Sequence, residues 1–380
     1  MYRIVLIIFI IFLVLFGLQA QHKTQDIIDV YFQEMLNEAD IHNGFLQISS
    51  ADGKINWRYT GGFFQDGMPV SQSNPFHSTS VGKMFTATAI MHLVEEGKVN
   101  LHDYLPIHLP AEVIEGLHVI DGKDYSTNIT IAQLLQHTSG LPDYIMDTPK
   151  DGSPNMLTLT MQNPDKFWEV DEFLAFSREK LEARFLPGHG YYYTDTEYIL
   201  LGLIIEEQYQ KDLHDVFSEL FFKPLKMKHT SMFKRSESLK KTGKMAEFYI
   251  DQTDISQYES LSIDWAGGGL VTTTEDLLRF QQALFSSELV SESSLAKMQN
   301  WRKESQGMYY GLGLRKFNFR ELSEFLPELT IIGHSGTSSA FSFYCPELQV
   351  YVAGTFNQTN KMETAIGFLA QVLATLQNDF

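Results

Sequence analysis

The residues Ser80-Val81-Gly82-Lys83 place a hydroxyl and an amine three positions apart. Residues i and i+3 share one face of a helix, so Lys83 can activate Ser80 as a nucleophile. Ser-x-x-Lys is a common pattern, and most copies of it are surface helix positions. The chain repeats it at four other places: Ser177/Lys180, Ser231/Lys234, Ser238/Lys241 and Ser294/Lys297. The pattern at Ser80 therefore needs support from other residues.

The start of a helix suits a nucleophile. Its first N–H groups lack intrahelical partners, and the helix dipole favours negative charge there. We therefore expect the N–H of Ser80 to help bind an oxyanion. Lys83 must either be near-neutral, through burial or nearby cations, or pass its proton to a neighbour.

A second candidate is Tyr193-Thr194-Asp195, which stands just before an apolar helical segment. A phenol and a carboxylate two residues apart in such a loop can point into one cleft. The alternative is structural, with Asp195 or Thr194 capping the helix and Tyr193 packed in the core.

The third candidate is His334-Ser335-Gly336-Thr337, which follows an apolar strand. Gly336 allows a backbone to approach a ligand closely, and the N–H of Thr337 is a candidate second oxyanion donor. A lone histidine at a strand end is also a common structural residue, and that alternative stays open here.

The pattern of predicted elements places strands at both ends of the chain and helices between them. Residues 21–100 and 262–380 are predicted to form an α/β sheet domain, and residues 101–261 a mostly helical domain. We expect the active site in the cleft between the two.

Composition limits the function classes. The chain has 380 residues, of which 44% are hydrophobic and 20% are charged, as is typical of a globular protein. A net charge of -18 argues against nucleic-acid binding. Cys345 is the only cysteine, so no internal disulfide can form, and it is predicted to be a core residue. The histidines show no convincing zinc-ligand spacing, and no metal or cofactor is expected.

The first 20 residues are typical of a secretory signal peptide. Arg3 precedes an apolar run from Ile4 to Leu18, and Ala20 is the expected cleavage site. The run is shorter than the ~20 residues of a membrane span. We therefore expect a secreted or periplasmic protein with no stable membrane insertion. An uncleaved anchor is the alternative.

Taken in order, the three candidates resemble the Ser-x-x-Lys, Tyr-x-Asn and Lys-Thr-Gly motifs of the penicillin-recognising serine hydrolases. This family includes class C β-lactamases, DD-carboxypeptidases and related esterases. Flanking segments are similar as well: Leu134–Pro142, Phe221–Met227 and Ala266–Leu277. The resemblance covers roughly residues 43–376. It implies a β-lactamase/transpeptidase-like α/β (α+β) fold, with an antiparallel sheet flanked by helices and a mostly helical insertion.

Two positions depart from the family pattern. Asp195 stands where asparagine is usual, and it has no amide donor for a substrate carbonyl. His334 stands where many β-lactamases have lysine, which favours a peptidase or an esterase. A literal Lys241-Thr242-Gly243 lies in a charged segment ahead of the glycine turn, so His334 is the preferred third motif. His137 and Ser139 are interpreted as structural.

The resemblance implies an acyl-enzyme mechanism. Ser80 attacks a carbonyl, Lys83 and Tyr193 move protons, and the N–H groups of Ser80 and Thr337 hold the oxyanion. His334, with Asp195 and Gly336, is expected to bind the substrate, offering positive charge or a hydrogen bond. The substrate is expected to be a small molecule or a peptide, with a D-alanyl peptide first, a β-lactam next and a small ester third. A penicillin-binding sensor without turnover is the alternative from another class.

Overall fold

The computed structural model of the protein describes residues 23–378. The predicted signal peptide, residues 1–20, lies outside this range. Within the described range, every helix is too short or too polar to cross a membrane.

An eight-stranded antiparallel sheet organises the fold. Its strand order is β10-β11-β12-β13-β14-β15-β1-β2. These strands are β1 Asn43–Ser50, β2 Asn56–Gly62, β10 Arg302–Ser305, β11 Met308–Tyr310, β12 Arg315–Asn318, β13 Thr330–Ser335, β14 Phe341–Cys345 and β15 Val350–Thr355. The first two strands of the chain thus complete a sheet that is built mainly from the last third of the chain.

Short strands form three smaller sheets. One has the order β3-β9-β6, and the others are the two-stranded pairs β4-β5 and β7-β8. The strands are β3 Phe76–His77, β4 Val119–Ile120, β5 Lys123–Asp124, β6 Ser231–Met232, β7 Tyr249–Ile250, β8 Thr253–Asp254 and β9 Leu270–Thr272. Strand β3 leads directly into the turn that carries Ser80.

The helices begin with α1, residues 23–36. The others are α2 Lys83–Glu95, α3 Ala111–Ile114, α4 Ile131–Leu135, α5 Met156–Gln162, α6 Val170–Lys180, α7 Asp195–Tyr209, α8 Leu213–Phe217, α9 Trp265–Gly268, α10 Thr274–Phe285, α11 Glu292–Met298, α12 Phe319–Leu322 and α13 Met362–Gln377. A π-helical turn, Ser218–Phe222, extends α8.

Three hydrophobic cores hold these layers together, the smallest of them around Phe233, Phe248 and Leu261. In one, α1 and α13 pack against the main sheet, with Phe32, Ile48 and Leu369 fully buried. The largest core surrounds α2, where Phe85 stacks on Phe280 with ring centroids 3.7 Å apart. Most of the residues of α2 are buried, which explains its apolar sequence on every face. The Ser80 turn is therefore anchored to a rigid central helix.

The structure differs from the sequence-based expectation at several elements. The sequence does not predict the hairpin of β10 and β11, because charged and exposed residues such as Arg302 and Lys303 obscure the alternation of apolar and polar residues. The sequence pattern of residues 311–316 predicts a strand, but this strand begins only at Arg315, because Gly313 has a φ of 74° and interrupts the extended chain.

The helix expected to start at Ser80 instead begins at Lys83, after a 3₁₀ turn from Thr79 to Gly82. Buried apolar residues of the predicted helical domain, residues 101–261, belong to the same large hydrophobic core as the buried residues of α2 and α10.

Candidate active site

The nucleophile turn is held from two sides by glycines. Thr79 has a φ of 44°, an uncommon left-handed conformation directly before Ser80. A Cβ on Gly336 would lie 2.0 Å from Thr79 Oγ1, and a Cβ on Gly268 would lie 2.6 Å from the Thr79 carbonyl carbon. Close backbone packing from β13 and α9 therefore fixes Ser80.

Lys83 lies at the centre of the site and is fully buried. Its Nζ donates hydrogen bonds to Ser80 Oγ at 3.2 Å and to the Gly267 carbonyl at 2.9 Å. It also forms an ion pair with Asp195. Burial lowers the pKa of Lys83, but the interactions with Asp195 and Tyr193 together outweigh burial, and the pKa is raised above its ordinary value. Lys83 is therefore an ammonium group in this arrangement.

Asp195 starts α7 and faces α2 across the site. A Cβ on Gly267 would lie 2.8 Å from Asp195 Oδ1, so only glycine leaves room for the carboxylate. Asp195, which stands where the family motif usually has asparagine, thus accepts a hydrogen bond from Lys83.

Tyr193 lies beside the same lysine. Lys83 Nζ is 5.0 Å from the centroid of its ring, and the guanidinium of Arg315 is 5.1 Å from the centroid. Burial raises the pKa of Tyr193 above that of an ordinary phenol. Tyr193 therefore keeps its proton at neutral pH and is suited to donate it.

The loop that carries Tyr193 rests on the segment at His137. The centroid of the His137 ring lies 4.3 Å from that of the Tyr193 ring, with the rings tilted by 41°, and the His137 carbonyl accepts from the N–H of Tyr192 at 2.9 Å. Glu197 contacts His137 Nδ1 at 2.5 Å and accepts from Ser139 Oγ at 2.5 Å. These contacts fit the structural role expected for His137 and Ser139.

His334 is placed differently from the expectation. It is fully buried, its Nδ1 donates to the Ser335 carbonyl at 2.7 Å, and its Nε2 accepts from the hydroxyl of Tyr310 at 2.9 Å. Burial holds its pKa well below the ordinary value, and the positive charges of Arg315 and Lys83 act in the same direction. With both ring nitrogens hydrogen-bonded and its pKa lowered, His334 is a neutral side chain that offers no positive charge to a substrate.

Arg315 is the cation that the sequence did not indicate. Its guanidinium is mostly buried and forms two hydrogen bonds with Glu304, at 3.0 and 2.8 Å, and one with Ser335 Oγ at 3.3 Å. No local motif marks an arginine inside a strand, so only the strand pairing brings it here.

A cavity of about 330 Å³ opens beside the nucleophile. Ser80, Asp195 and Thr337 line one end of it, and Thr337 is exposed there. Most of the remaining wall is apolar. The structure therefore brings Ser80, Lys83, Asp195 and Tyr193 together, and it places Gly336 and Thr337 beside them.

Asp264 also lines this cavity, immediately before α9. Burial and the nearby Asp195 raise the pKa of Asp264 to about 7. The sequence does not mark Asp264, although it lies two residues before the segment Ala266–Leu277. A single acidic residue before a glycine turn gives no signal of its own.

A helical region packed on an antiparallel sheet, with serine and lysine at the start of the central helix, defines a class of serine hydrolases. The chain belongs to the Beta-lactamase family, whose sequence profile matches residues 37–375. This confirms the predicted fold class and the expected enzyme class.

Relatives and solved structures agree with this family. The chain is 26% identical to Penicillin-binding protein 4* of Bacillus subtilis over 69% of this chain and 56% of that protein. It is 28% identical to Protein flp of Staphylococcus aureus over 56% of this chain and 39% of that protein. The chain thus matches about half or less of the length of these relatives.

The fold is similar to that of a D-amino acid amidase from Ochrobactrum anthropi in complex with L-phenylalanine amide. The TM-score is 0.76 at 21% identity, over 94% of this chain and 99% of that one. It is also similar to EstCE1, a hydrolase with promiscuous acyltransferase activity, with a TM-score of 0.74 at 18% identity, over 94% of this chain and 98% of that one.

Proposed function

We propose that the protein is an exported acyl hydrolase that cleaves an amide or ester through an acyl-enzyme at Ser80, with D-alanyl peptides as the first substrate class to test. The observation that carries the proposal is the chain of contacts from Ser80 Oγ to Lys83 Nζ to Asp195. A β-lactam and a small ester are the other substrates of the same chemistry.

In the acylation step, Ser80 Oγ attacks the substrate carbonyl and gives its proton to Lys83. Lys83 is already an ammonium, so it passes a proton to the Asp195 carboxylate at the same time. The N–H groups of Ser80 and Thr337 face the developing oxyanion. Asp195 is thus the final proton acceptor. Lys83 cannot take this role, because its raised pKa keeps it protonated.

Collapse of the tetrahedral intermediate breaks the bond to the leaving group, which takes the proton of Tyr193 as it departs. The proton on Asp195 then returns through Lys83 to the Tyr193 oxygen. Water attacks the acyl-enzyme by the same path in reverse, which releases the acid and restores Ser80.

We also propose that the cavity is the cleft between the regions expected as two domains. Ser80 and Thr337 come from residues 21–100 and 262–380, while Ile145 and Asp195 come from residues 101–261. A substrate in the cavity would touch both regions at once.

The test is a panel of D-Ala-D-Ala peptides, nitrocefin and short p-nitrophenyl esters on the mature chain, followed by mass spectrometry. We expect turnover of at least one class, and Ser80→Ala should lower it by at least about 10³-fold. Ser238→Ala makes the same change in another Ser-x-x-Lys pattern and should keep full activity. Full activity in Ser80→Ala would refute the assignment.

The same experiment separates an enzyme from a sensor. A lasting adduct on Ser80 without turnover would indicate a penicillin-binding sensor. Turnover favours the hydrolase.

Export is proposed from the predicted signal peptide. N-terminal sequencing of the protein from an expressing bacterium should give Gln21 as the first residue, and an intact Met1 on cell-retained protein would contradict it.

A further inference from the structure

The cavity beside Ser80 has an apolar wall that suits one hydrophobic side chain. Ile145, Leu157, Phe248, Ile255 and Leu261 contribute to it. Its volume of about 330 Å³ is at the small end of the range for ligand sites. The cavity therefore favours a compact apolar group over a long polar chain.

Asp264 breaks this apolar wall with a carboxyl group. The influences on its pKa are burial and the charges of Asp195 and Lys83, with no hydrogen bond among them. Among residues 23–378, no ion pair neutralises it either. A carboxylate in an apolar cavity without a partner is costly, so a ligand that supplies a positive charge would be stabilised there.

The two cations of the site, Lys83 and Arg315, are already paired with carboxylates. Lys83 pairs with Asp195, and Arg315 pairs with Glu304. A substrate carboxylate in the cavity would find no free positive charge and would face Asp264. A substrate ammonium would instead meet an unpaired negative charge.

We propose that the cavity selects substrates that carry an ammonium group beside a compact apolar group, and that Asp264 binds this ammonium. The inference rests on the proposed function and deepens it by naming the substrate class. An ammonium at this place also lowers the pKa of Asp264 from about 7, so the ion pair forms at neutral pH.

The experiment compares two probes of the same carbon framework, 2-phenylethylamine and 2-phenylethanol, by isothermal titration calorimetry at pH 8. The wild-type chain is expected to bind the amine about tenfold more tightly than the alcohol. Asp264→Asn, which keeps the size of the side chain, should remove this preference. Asp121→Asn makes the same change in the exposed turn between β4 and β5 and should keep it.

A second measurement does not depend on a variant. At pH 5 Asp264 is protonated, so the preference of the wild-type chain for the amine should fall at least severalfold. The other ionisable groups that face Asp264 are Asp195 of α7, Lys83 of α2 and Tyr144.

The outcomes are separable from those of the proposed function, because Ser80→Ala should bind the amine as the wild-type chain does while its turnover is lost. Equal binding of the two probes, no measurable binding of the amine, or a preference that survives Asp264→Asn would overturn the proposal.

Discussion

The two sides of the candidate active site differ in charge: strands β10 to β13 form the sheet side, and α2, α7 and the turn that ends at Asp264 form the helical side. On the sheet side, Arg315 is paired with Glu304, and His334 is hydrogen-bonded on both ring nitrogens. On the helical side, Lys83 is paired with Asp195, but Asp264 has no countercharge. The sheet side is thus a neutral support, while the helical side carries both the proton path and a surplus negative charge.

The difference indicates which side can choose a substrate. A neutral, fully hydrogen-bonded surface holds Tyr193 and the oxyanion donors in place without selecting for charge. An unpaired carboxylate in an apolar wall does select for charge, because its free energy depends on the charge of the ligand that enters the cavity.

The largest effect is expected from Lys83→Met, which removes the cation that pairs with Asp195 with little change in volume. Turnover should fall by at least about 10³-fold, since Ser80 loses its proton path. Binding of 2-phenylethylamine should become severalfold tighter, because Asp195 and Asp264 are then both without a cation. Weaker binding of the amine would contradict the charge assignment.

The next effect comes from Gly336→Ala on the sheet side. The added Cβ would lie 2.0 Å from Thr79 Oγ1 and 2.5 Å from the Ser78 carbonyl, so the Ser80 turn must shift. A displacement of this kind should lower kcat by about 10²-fold. Gly367→Ala in α13 is the matched control, because its Cβ meets open space, and it should leave kcat unchanged.

A smaller effect is expected from Glu304→Gln, which frees the charge of Arg315. The sheet side then gains a positive charge, and inhibition by 3-phenylpropionate should become about fivefold stronger. Unchanged inhibition would show that Arg315 is out of reach of the substrate. Glu324→Gln, an exposed position, serves as the control for the loss of one negative charge.

The smallest effect is a pH-dependent change in stability on the helical side. The folded protein raises the pKa of Asp264 from 3.8 to about 7, so ionising Asp264 destabilises the fold as the pH rises between these values. Asp264→Asn should therefore raise Tm by about 2 to 4 °C at pH 8 and by nothing near pH 3.5. Thermal denaturation against Asp121→Asn measures it, and a lowered Tm at pH 8 would contradict the pKa.

The sequence predicted the elements better than the contacts between them. The helix of α2 and the strand before His334 follow from local apolar patterns, and the order of the three motifs indicated the family. The role of His334 did not follow, because its partner Tyr310 lies on β11, a strand with no clear alternation.

Arg315 and Asp264 show why the remainder of the site could not be predicted from the sequence. Each is a single charged residue whose meaning depends on partners far away in the chain. Glu304 reaches Arg315 only through the hairpin register, and Asp264 faces Asp195 only after α7 and α9 have packed together. The spacing of residues within one segment of the sequence does not indicate either contact.

In the proposed acylation step, Asp195 takes the proton of Ser80 through Lys83. This proton transfer is tested most directly by the burst of p-nitrophenolate from a p-nitrophenyl ester at pH 7, followed by stopped-flow, in wild-type protein and in Asp195→Asn. The acylation rate should be about 10²-fold lower in Asp195→Asn, and it should recover at higher pH as Lys83, no longer held charged by a carboxylate, loses its proton. An unchanged burst rate at pH 7 would show that Asp195 does not take this proton.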